Sequence, residues 1–267
     1  MMHSLITAAT ATLDATTRRV GYGMAALLLA AAPAAAQMVP ATTNDWRFAL
    51  TPYIWGSGIS GNVSLPGHSA DLNADFGDVL DAMEFAYMAQ FEAWKGRFGI
   101  LMDGFVLMTE SDFATPRGAA FRGGSADMTT AALSVVGLVR AYQDERVGID
   151  LGAGLRAWSV DSKITLNPGA LPGSSASSST TFADPIIAFR AHVALTDRWV
   201  LNTYADIGGF NTQSDLTWQV TGTLGYHINQ RFSFHAGYRY MTLERSRGDK
   251  ALDIDMSGPL IGLTYRF

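Results

Sequence analysis

The sequence predicts an all-β fold, a transmembrane antiparallel up-and-down β-barrel of about ten strands, with eight to twelve possible. Three observations predict it. Apolar and polar residues alternate with period two, short and long connections alternate along the chain, and the composition is apolar but poor in charge, with 48% hydrophobic and 16% charged residues among 267. A strand between lipid and a polar interior requires this alternation, because successive side chains point to opposite faces.

The composition excludes several classes of protein. A chain with 48% hydrophobic residues is not disordered. The net charge of −5 is the wrong sign for a nucleic-acid binder. With no cysteine, the chain has no disulfide framework, no thiolate zinc site and no iron–sulfur cluster. We therefore expect no cofactor and no nucleic-acid partner.

The N-terminus has the pattern of a secretory signal. Arg18 and Arg19 form a basic patch, the apolar run 20–32 follows, and three alanines at 34–36 make a small-residue cleavage site. The apolar run is too short to span a membrane, which takes roughly 20 residues. The pattern predicts a signal peptide over 1–36 and one barrel domain over 37–267, the alternative being an anchor that stays attached. The arginine pair also fits a twin-arginine signal, but we favour the general secretory route, because a barrel must arrive unfolded for insertion.

The last strand has the clearest alternation. Every second residue back from the C-terminus is apolar or aromatic, and the residues between are mostly small or polar. The pattern repeats upstream and predicts ten strands, over residues 46–58, 83–94, 97–109, 127–143, 146–161, 181–195, 198–210, 215–229, 231–245 and 252–267. Each is long enough to cross a bilayer with a tilt, since a membrane strand needs about 9–11 residues. Pro52, Pro185 and Pro259 fall inside these strands, where each removes a hydrogen-bond donor.

The connections fall into two sets. Tight turns are predicted at 95–96, 144–145, 196–197 and 229–230, and mostly longer loops at 110–126, 167–180, 211–214 and 246–251. Short periplasmic turns and long outer loops are typical of outer-membrane barrels. The serine-rich stretch 174–181 is expected to be an exposed loop. Segment 59–82 is either one excursion with a small hairpin and a helical turn at 77–82, or an additional pair of strands that makes twelve.

Charged residues follow the polar faces of the strands. These residues are Arg47, Glu84, Glu92, Asp103, Arg140, Asp150, Arg156, Asp184, Arg190, Asp206, Arg239 and Arg266. A soluble β-sandwich also alternates, but its polar face is simply exposed to solvent. Together with the signal peptide, the aromatic strand ends and the C-terminal Phe, this row of charges favours the membrane barrel, with the charges in its lumen.

The C-terminal segment GPLIGLTYRF resembles the last strand of bacterial outer-membrane β-barrels. Its apolar face consists of Ile261, Leu263, Tyr265 and Phe267. The segments TPYIW at 51–55 and FEAWKGRFGILMD at 91–103 resemble a small, uncharacterised group of proteobacterial outer-membrane proteins. The resemblance implies an integral outer-membrane location, contact with outer-membrane lipids and lipopolysaccharide, and recognition of the last strand by the barrel-assembly machinery. It implies no activity. We expect a monomer.

Three functions are compatible with such a lumen. The acids and arginines of a narrow lumen should form ion pairs, because a low dielectric favours opposite charges that are hydrogen-bonded to each other. A barrel of about eight strands is filled by its side chains, whereas an aqueous channel is expected near 16–18. We therefore favour a structural or surface-interaction barrel that is not an enzyme, with a narrow pore for small solutes as the alternative and a lipid-modifying enzyme as the weakest hypothesis.

Few residues are candidates for catalysis or for metal binding. His192, His227 and His235 are predicted to point inward near Asp184, Asp206 or Ser233, but no nucleophile or zinc-protease motif accompanies them. A histidine and three acids in the first excursion could bind a divalent cation, although the spacing of the carboxylates is not that of an EF-hand and solvated charge is the simpler interpretation. These residues are His68, Asp71, Asp75 and Asp78.

Overall fold

A computed structural model describes residues 44–65, 68–113, 121–247 and 250–267. The predicted signal peptide at 1–36 lies outside these residues and stays a prediction. Within the described residues, twelve strands and one short helix follow one another: β1 (Arg47–Trp55), β2 (Gly58–Leu65), β3 (His68–Ala74), α1 (Phe76–Asp81), β4 (Met83–Lys95), β5 (Phe98–Phe113), β6 (Phe121–Gln143), β7 (Val147–Pro168), β8 (Ser174–Ala194), β9 (Trp199–Gly208), β10 (Leu216–His227), β11 (Phe232–Arg247) and β12 (Lys250–Arg266).

Ten of these strands close into an antiparallel barrel. β1 pairs with β4 on one side and with β12 on the other, and β4 to β12 pair in sequence. Every polar backbone group in such a ring finds a partner on a neighbouring strand, so no open edge faces lipid. The prediction of a ten-stranded antiparallel barrel is confirmed.

The segment between β1 and β4 is a single excursion. β2 pairs with β12 from Gly58 opposite Ser257 onward, and β3 pairs with β2, so the hairpin extends the sheet beyond the ring. The helix α1 follows it, and Asp75 caps its first turn. Of the two alternatives for 59–82, the structure has the excursion with a hairpin and a helical turn.

Three strands are each six residues longer than predicted. β6, β7 and β8 have 23, 22 and 21 residues, and the expected loop at 174–181 is the start of β8. Ser177 lies opposite Lys163 in a continuous ladder. Because both faces of this ribbon are largely exposed there, its residues need no apolar alternation, and the pattern of the sequence ends before the strand does.

Pro52, Pro185 and Pro259 lie in β1, β8 and β12. The Pro259 carbonyl accepts a hydrogen bond from the Gly56 amide at 2.8 Å, and the Pro185 carbonyl accepts one from Gly209 at 3.2 Å. Pro185 and Pro259 therefore still contribute a hydrogen-bond acceptor, although each lacks an amide hydrogen.

The outer wall of the barrel is apolar. Large hydrophobic side chains on the lipid-facing side are widely exposed, for example Ile54 (63%) and Leu155 (57%). An exposed apolar surface of this extent is typical of a membrane-embedded wall. None of the helices in the described residues is long and apolar enough to cross a membrane.

An aromatic girdle surrounds the end of the barrel where the tight turns and both ends of the ring lie, which we call the turn end. Phe48 stacks on Trp46, Phe91 and Phe267, with ring centroids 5.7–6.1 Å apart. Phe232 packs on Tyr265 at 5.0 Å. Amphipathic and aromatic rings prefer the depth of the lipid headgroups. The opposite end, with the long strands and the β2–β3 hairpin, is called the loop end.

Candidate functional site

The lumen is the candidate functional site, and it has three parts from the turn end to the loop end. The vestibule is a cavity of about 1070 Å³ that reaches from the turn-end rim, at Asn229 and Phe267, up to Arg239. The ion-pair layer consists of Asp103, Arg156, Asp206, Gln219 and Arg239 with Tyr53. The aromatic layer consists of Trp55, Met88, Phe105, Trp158, Phe182, Met241 and Leu243.

The order of the two layers follows from the alternation of the strands. On β5, Phe105 lies two residues beyond Asp103 towards the loop end, and on β7, Trp158 lies two residues beyond Arg156. Residues two apart share a face, so Asp103 and Arg156 each have an inward aromatic ring directly above them. The aromatic layer therefore covers the ion-pair layer.

The first ion pair of the layer joins β7 to β9. Arg156 Nη2 lies 2.5 Å from Asp206 Oδ2, and both side chains are fully buried. The Arg156 Nε donates to Ser134 Oγ at 3.0 Å, and Nη1 donates to Thr217 Oγ1 at 3.2 Å. The guanidinium thus has a partner on three strands, which is what a buried charge requires.

The second ion pair crosses the lumen from β11 to β5. Arg239 Nη2 lies 2.6 Å from Asp103 Oδ2, and Tyr53 Oη accepts from Arg239 at 2.9 Å while it donates to Asp103 at 2.8 Å. Gln219 links the two pairs, because its amide nitrogen donates to Asp206 at 2.6 Å and its oxygen accepts from Arg239 Nε at 2.8 Å. The layer is one connected network.

The aromatic layer fills the lumen above this network. Phe105 meets Trp55 and Trp158 edge to face, with centroids 5.9 and 6.0 Å apart. Trp55 is 3% exposed and Trp158 is 2% exposed. The Arg239 guanidinium lies 4.9 Å from the Trp55 ring centroid, so a cation–π contact joins the two layers. Side chains occupy the cross-section of the barrel at this level.

A third set of ion pairs lies in the wall of the vestibule. Arg190 contacts Asp150 Oδ2 through Nε and Nη2, both at 3.0 Å, and Glu92 Oε2 through Nη1 at 2.8 Å. Arg140 contacts the other oxygen of Asp150. Trp94 points into the lumen between the two arginines, which lie 4.9 and 5.2 Å from its ring.

Two predicted lumen arginines, Arg47 and Arg266, have no acidic partner among the described residues. Arg266 Nη1 donates to Ser233 Oγ at 2.7 Å, and Arg47 Nε is buried without a hydrogen-bond partner. Both side chains line the vestibule.

Two predicted acids are placed differently from the rest. Asp184 shares a face of β8 with Arg190 but does not pair with it, and instead accepts hydrogen bonds from the 212–214 segment. Glu84 is exposed at a bulge at the start of β4. The bulge ends the regular alternation of β4, so Glu84 lies outside the ion-paired lumen.

Two of the inward histidines, His192 and His235, belong to a hydrogen-bonded chain across five strands. His192 Nδ1 lies 2.7 Å from Asn202 Oδ1, and Asn202 Nδ2 lies 3.5 Å from His235 Nδ1. The His235 Nε2 lies 2.9 Å from Thr264 Oγ1, which contacts Thr51 Oγ1 at 2.7 Å. These contacts give the histidines structural partners.

His227 and Ser233 are the nearest approach to a nucleophile and a base. His227 Nδ1 lies 2.6 Å from Ser233 Oγ. Ser233 is completely buried, however, and in the described residues the other nitrogen of His227, Nε2, has no hydrogen-bond partner. A catalytic serine must reach its substrate and its base needs an orienting acid, so this geometry does not form a triad.

The predicted cation candidates are engaged elsewhere or undescribed. Asp75 and Asp78 form the capping box of α1, with each carboxylate accepting from the other residue's amide at 3.0–3.1 Å. The side chains of His68 and Asp71 lie outside the described residues. Among the side chains that are described, no group of three or more potential ligands is arranged to hold a metal ion.

Several members of the network were not identified from the sequence. Tyr53, Ser134, Thr217 and Gln219 are uncharged, and a search for inward charges passes over them. Their position in the sequence does indicate that they point inward, because each lies an even number of residues from an inward charge or ring on its own strand.

No family model matches the chain, and no curated protein matches its sequence. Solved structures do match. The outer membrane protease OmpT from Escherichia coli matches with a TM-score of 0.57 and 10% identity over 87% of this chain and 100% of that chain. The translocator domain of the autotransporter NalP from Neisseria meningitidis has a TM-score of 0.43 with 14% identity over 86% and 91% of the two chains. The attachment invasion locus protein Ail of Yersinia pestis has a TM-score of 0.32 with 12% identity over 83% and 98%. The match to OmpT shows that this chain has the fold of a bacterial outer-membrane β-barrel.

Proposed function

We propose that this protein is an integral outer-membrane barrel with a closed lumen, and that its role is structural or lies in surface interaction. The observation that carries the proposal is the complete burial of Arg156 and Asp206 beneath the rings of Trp55, Phe105 and Trp158. A solute path through the lumen would have to cross both the ion-pair layer and the aromatic layer. Arg156 and Asp206 in the first layer and Trp55 and Trp158 in the second are buried.

The location and orientation rest on the outer wall and the connections. An apolar wall with a girdle of rings at the turn end suits lipid contact, including lipopolysaccharide. Short turns face the periplasm in outer-membrane barrels, so the turn end is assigned to the periplasm and the loop end to the outside. Cleavage of the signal peptide after residue 36, a monomeric state and membership of the small proteobacterial group belong to the same proposal.

The interaction surface is assigned to the loop end. The long strands β6 to β8 and the β2–β3 hairpin extend the sheet beyond the closed ring there. Most side chains from 159 to 181 are exposed or half-exposed. A rigid, polar ribbon held outside the membrane presents a surface to other molecules without a loop that must first be ordered.

Single-channel recording tests the closed lumen. The protein is purified from the outer membranes of an expressing Gram-negative strain and inserted into planar bilayers. We expect no current steps for the wild type and discrete steps for a variant that combines Trp55→Ala and Trp158→Ala with Arg156→Ala and Asp206→Ala, because these changes open both the aromatic layer and the ion-pair layer. The matched control is Trp218→Ala, whose ring stacks on Tyr240 on the outer wall. Current steps from the folded wild type would make the narrow pore the better hypothesis.

A further inference from the structure

The vestibule contains more arginines than carboxylates. Among the described residues, five lumen arginines line it, with Arg231 at its rim, and the side-chain carboxylates that pair with them are those of Glu92, Asp103 and Asp150. The five are Arg47, Arg140, Arg190, Arg239 and Arg266. Desolvated charges of one sign are costly unless something neutralises them.

Each of the three carboxylates already pairs with at least one other arginine. Glu92 accepts from Arg190 at 2.8 Å, from Gln90 at 2.8 Å and from Trp94 at 3.0 Å. Asp150 is shared by Arg140 and Arg190. Asp103 is held by Arg239 and Tyr53. The positive charges of Arg47 and Arg266 are therefore left without a matching acid within this wall.

These two arginines are neighbours in the sheet. Ala49 on β1 lies opposite Arg266 on β12, and Arg47 lies two residues from Ala49 on the same face. Diagonal neighbours of this kind have Cα atoms about 7–8 Å apart. Two long guanidinium side chains that start from this spacing can reach the same small group. Both belong to the turn-end part of the vestibule, where the cavity begins.

A third donor lies beside them. Ser233 accepts from Arg266 at 2.7 Å, so its hydroxyl hydrogen is available for His227 Nδ1 at 2.6 Å. This arrangement places the ring hydrogen of His227 on Nε2. That nitrogen is buried, has no hydrogen-bond partner in the described part of the chain, and belongs to a residue lining the vestibule that is 9% exposed. The Nε of Arg47 is buried and unpartnered in the same way.

We propose that the vestibule is a binding site for a small organic anion, with a carboxylate or phosphate group held by Arg47, Arg266 and His227. Arginine recognises these groups with two parallel N–H donors, which suits a planar or tetrahedral set of oxygens. The volume of about 1070 Å³ is at the upper end for small-molecule pockets. Leu101, Val200 and Leu260 also line the cavity, so the ligand carries an apolar portion as well.

Access is from the turn end, since the ion-pair layer covers the cavity on the other side. The ligand would therefore come from the periplasm under the orientation proposed above. The binding site itself does not depend on that orientation or on whether the barrel conducts. A protein that gives current steps and binds anions would overturn the closed lumen and leave the present proposal standing.

Titration calorimetry on the purified protein in a nonionic detergent at low salt tests this site. The probes are phenyl phosphate, inorganic phosphate and phenyl glucoside, which supply the anion with an apolar body, the anion alone and a neutral body. We expect saturable binding of phenyl phosphate at one site per chain, weaker binding of inorganic phosphate and none of phenyl glucoside. Absence of saturable phenyl phosphate binding, or equal binding of phenyl glucoside, would overturn the proposal.

Charge variants locate the site. Arg47→Gln and Arg266→Gln should each weaken phenyl phosphate binding about tenfold, the size expected for a lost charged hydrogen bond. The matched control is Arg146→Gln, which removes the same charge from an exposed turn at the same end and should change affinity less than about twofold. Each variant is first shown to be folded by its heat-modifiable gel mobility. If all three variants bind with wild-type affinity, or if Arg146→Gln weakens binding as much as the other two, the proposed site is wrong.

Discussion

Asp184 holds Ser214 by two hydrogen bonds, one from the Ser214 amide to Oδ1 at 2.8 Å and one from the Ser214 hydroxyl to Oδ2 at 2.6 Å. Both residues are completely buried. The Thr212 hydroxyl and the Gln213 amide also donate to Oδ1, each at 3.2 Å. One carboxylate on β8 therefore organises the connection from β9 to β10.

Asp184→Ala should destabilise the protein by about 2–3 kcal/mol, because buried donors of the 212–214 segment lose their acceptor. The measurement is the free energy of unfolding in guanidinium chloride, followed by tryptophan fluorescence in lipid vesicles. Asp197→Ala, in the exposed turn before β9, is the control and should be near neutral. A loss of less than about 0.5 kcal/mol for Asp184→Ala would contradict this role.

The buried pair of Arg156 and Asp206 predicts a strong coupling. Arg156→Leu should cost about 3–5 kcal/mol, since it leaves the buried carboxylate of Asp206 without its charge partner. Adding Asp206→Leu should recover a large part of that loss, because a second apolar side chain removes the unpaired charge.

A double-mutant cycle by chemical unfolding measures this coupling. The matched pair is Arg198 and Tyr226, which form a hydrogen bond of 3.0 Å in an exposed position and should couple by less than about 1 kcal/mol. Additive effects of the two substitutions at 156 and 206 would show that the pair does not act as a unit.

The ring of ten strands is predictable from the sequence because lipid and lumen impose opposite demands on successive residues. The last strand illustrates this, with Ile261 and Leu263 exposed on the outer wall and Thr264 buried inside. The same reasoning fails for residues 174–181, where both faces are largely exposed. Backbone pairing with β7 continues there without any apolar pattern, so the sequence alone underestimates the length of β8.

The inward direction of most lumen charges is predictable, but their partners are not. Arg190 contacts Glu92 from the far side of the barrel, 98 positions away in the chain. Such contacts depend on strand tilt and on the closure of β1 with β12, neither of which a local pattern encodes. Asp184 is the clearest case, since it shares a face with Arg190 yet binds the 212–214 segment.

Gly154 is required by a close approach of two backbones. A Cβ at this position would lie 2.0 Å from the Val135 carbonyl oxygen and 2.7 Å from the Val136 Cα. Gly154→Ala should therefore lower stability by about 1–3 kcal/mol, as overpacking does in other cores. At Gly137 the nearest atom to such a Cβ is 3.8 Å away, and Gly137→Ala should be tolerated. Chemical unfolding of both variants compares them, and equal stabilities would contradict the steric argument.

Asp144 predicts a pH dependence at the turn between β6 and β7. Its carboxylate accepts from the amides of Arg146 and Val147 and from the Tyr142 hydroxyl, all at 2.7 Å. These hydrogen bonds, first of all that from the Arg146 amide, lower the pKa of Asp144 below its usual value. The pKa of an aspartate in the unfolded chain is about 3.9. Because the pKa of Asp144 is lower in the folded protein, its carboxylate stabilises the fold at pH values above the unfolded pKa. That stability is lost as the pH falls through the folded pKa.

The wild type should therefore be more stable than Asp144→Asn at pH 7, and the difference should shrink steadily below about pH 4. Unfolding curves from neutral to acidic pH measure it. Glu145→Gln, at the neighbouring exposed position, should track the wild type at every pH. A gap between wild type and Asp144→Asn that is constant with pH would show that the carboxylate charge is not responsible.

Phe267 contacts residues of both the first and the last strand of the ring. We propose that the assembly machinery recognises it. Its ring stacks on Phe48 at 5.7 Å and on Tyr265 at 5.6 Å, and its amide donates to the Phe48 carbonyl at 3.0 Å.

Phe267→Ala should lower the fraction of heat-modifiable, assembled protein in the outer membranes of expressing cells severalfold. The yield of refolding from urea into vesicles should stay close to that of the wild type, since the backbone pairing with β1 is kept. The control is Phe98→Ala, an aromatic side chain at the same end that is 71% exposed. If both variants assemble equally well in cells, the C-terminal ring has no special role in assembly, and its contribution is limited to the aromatic girdle.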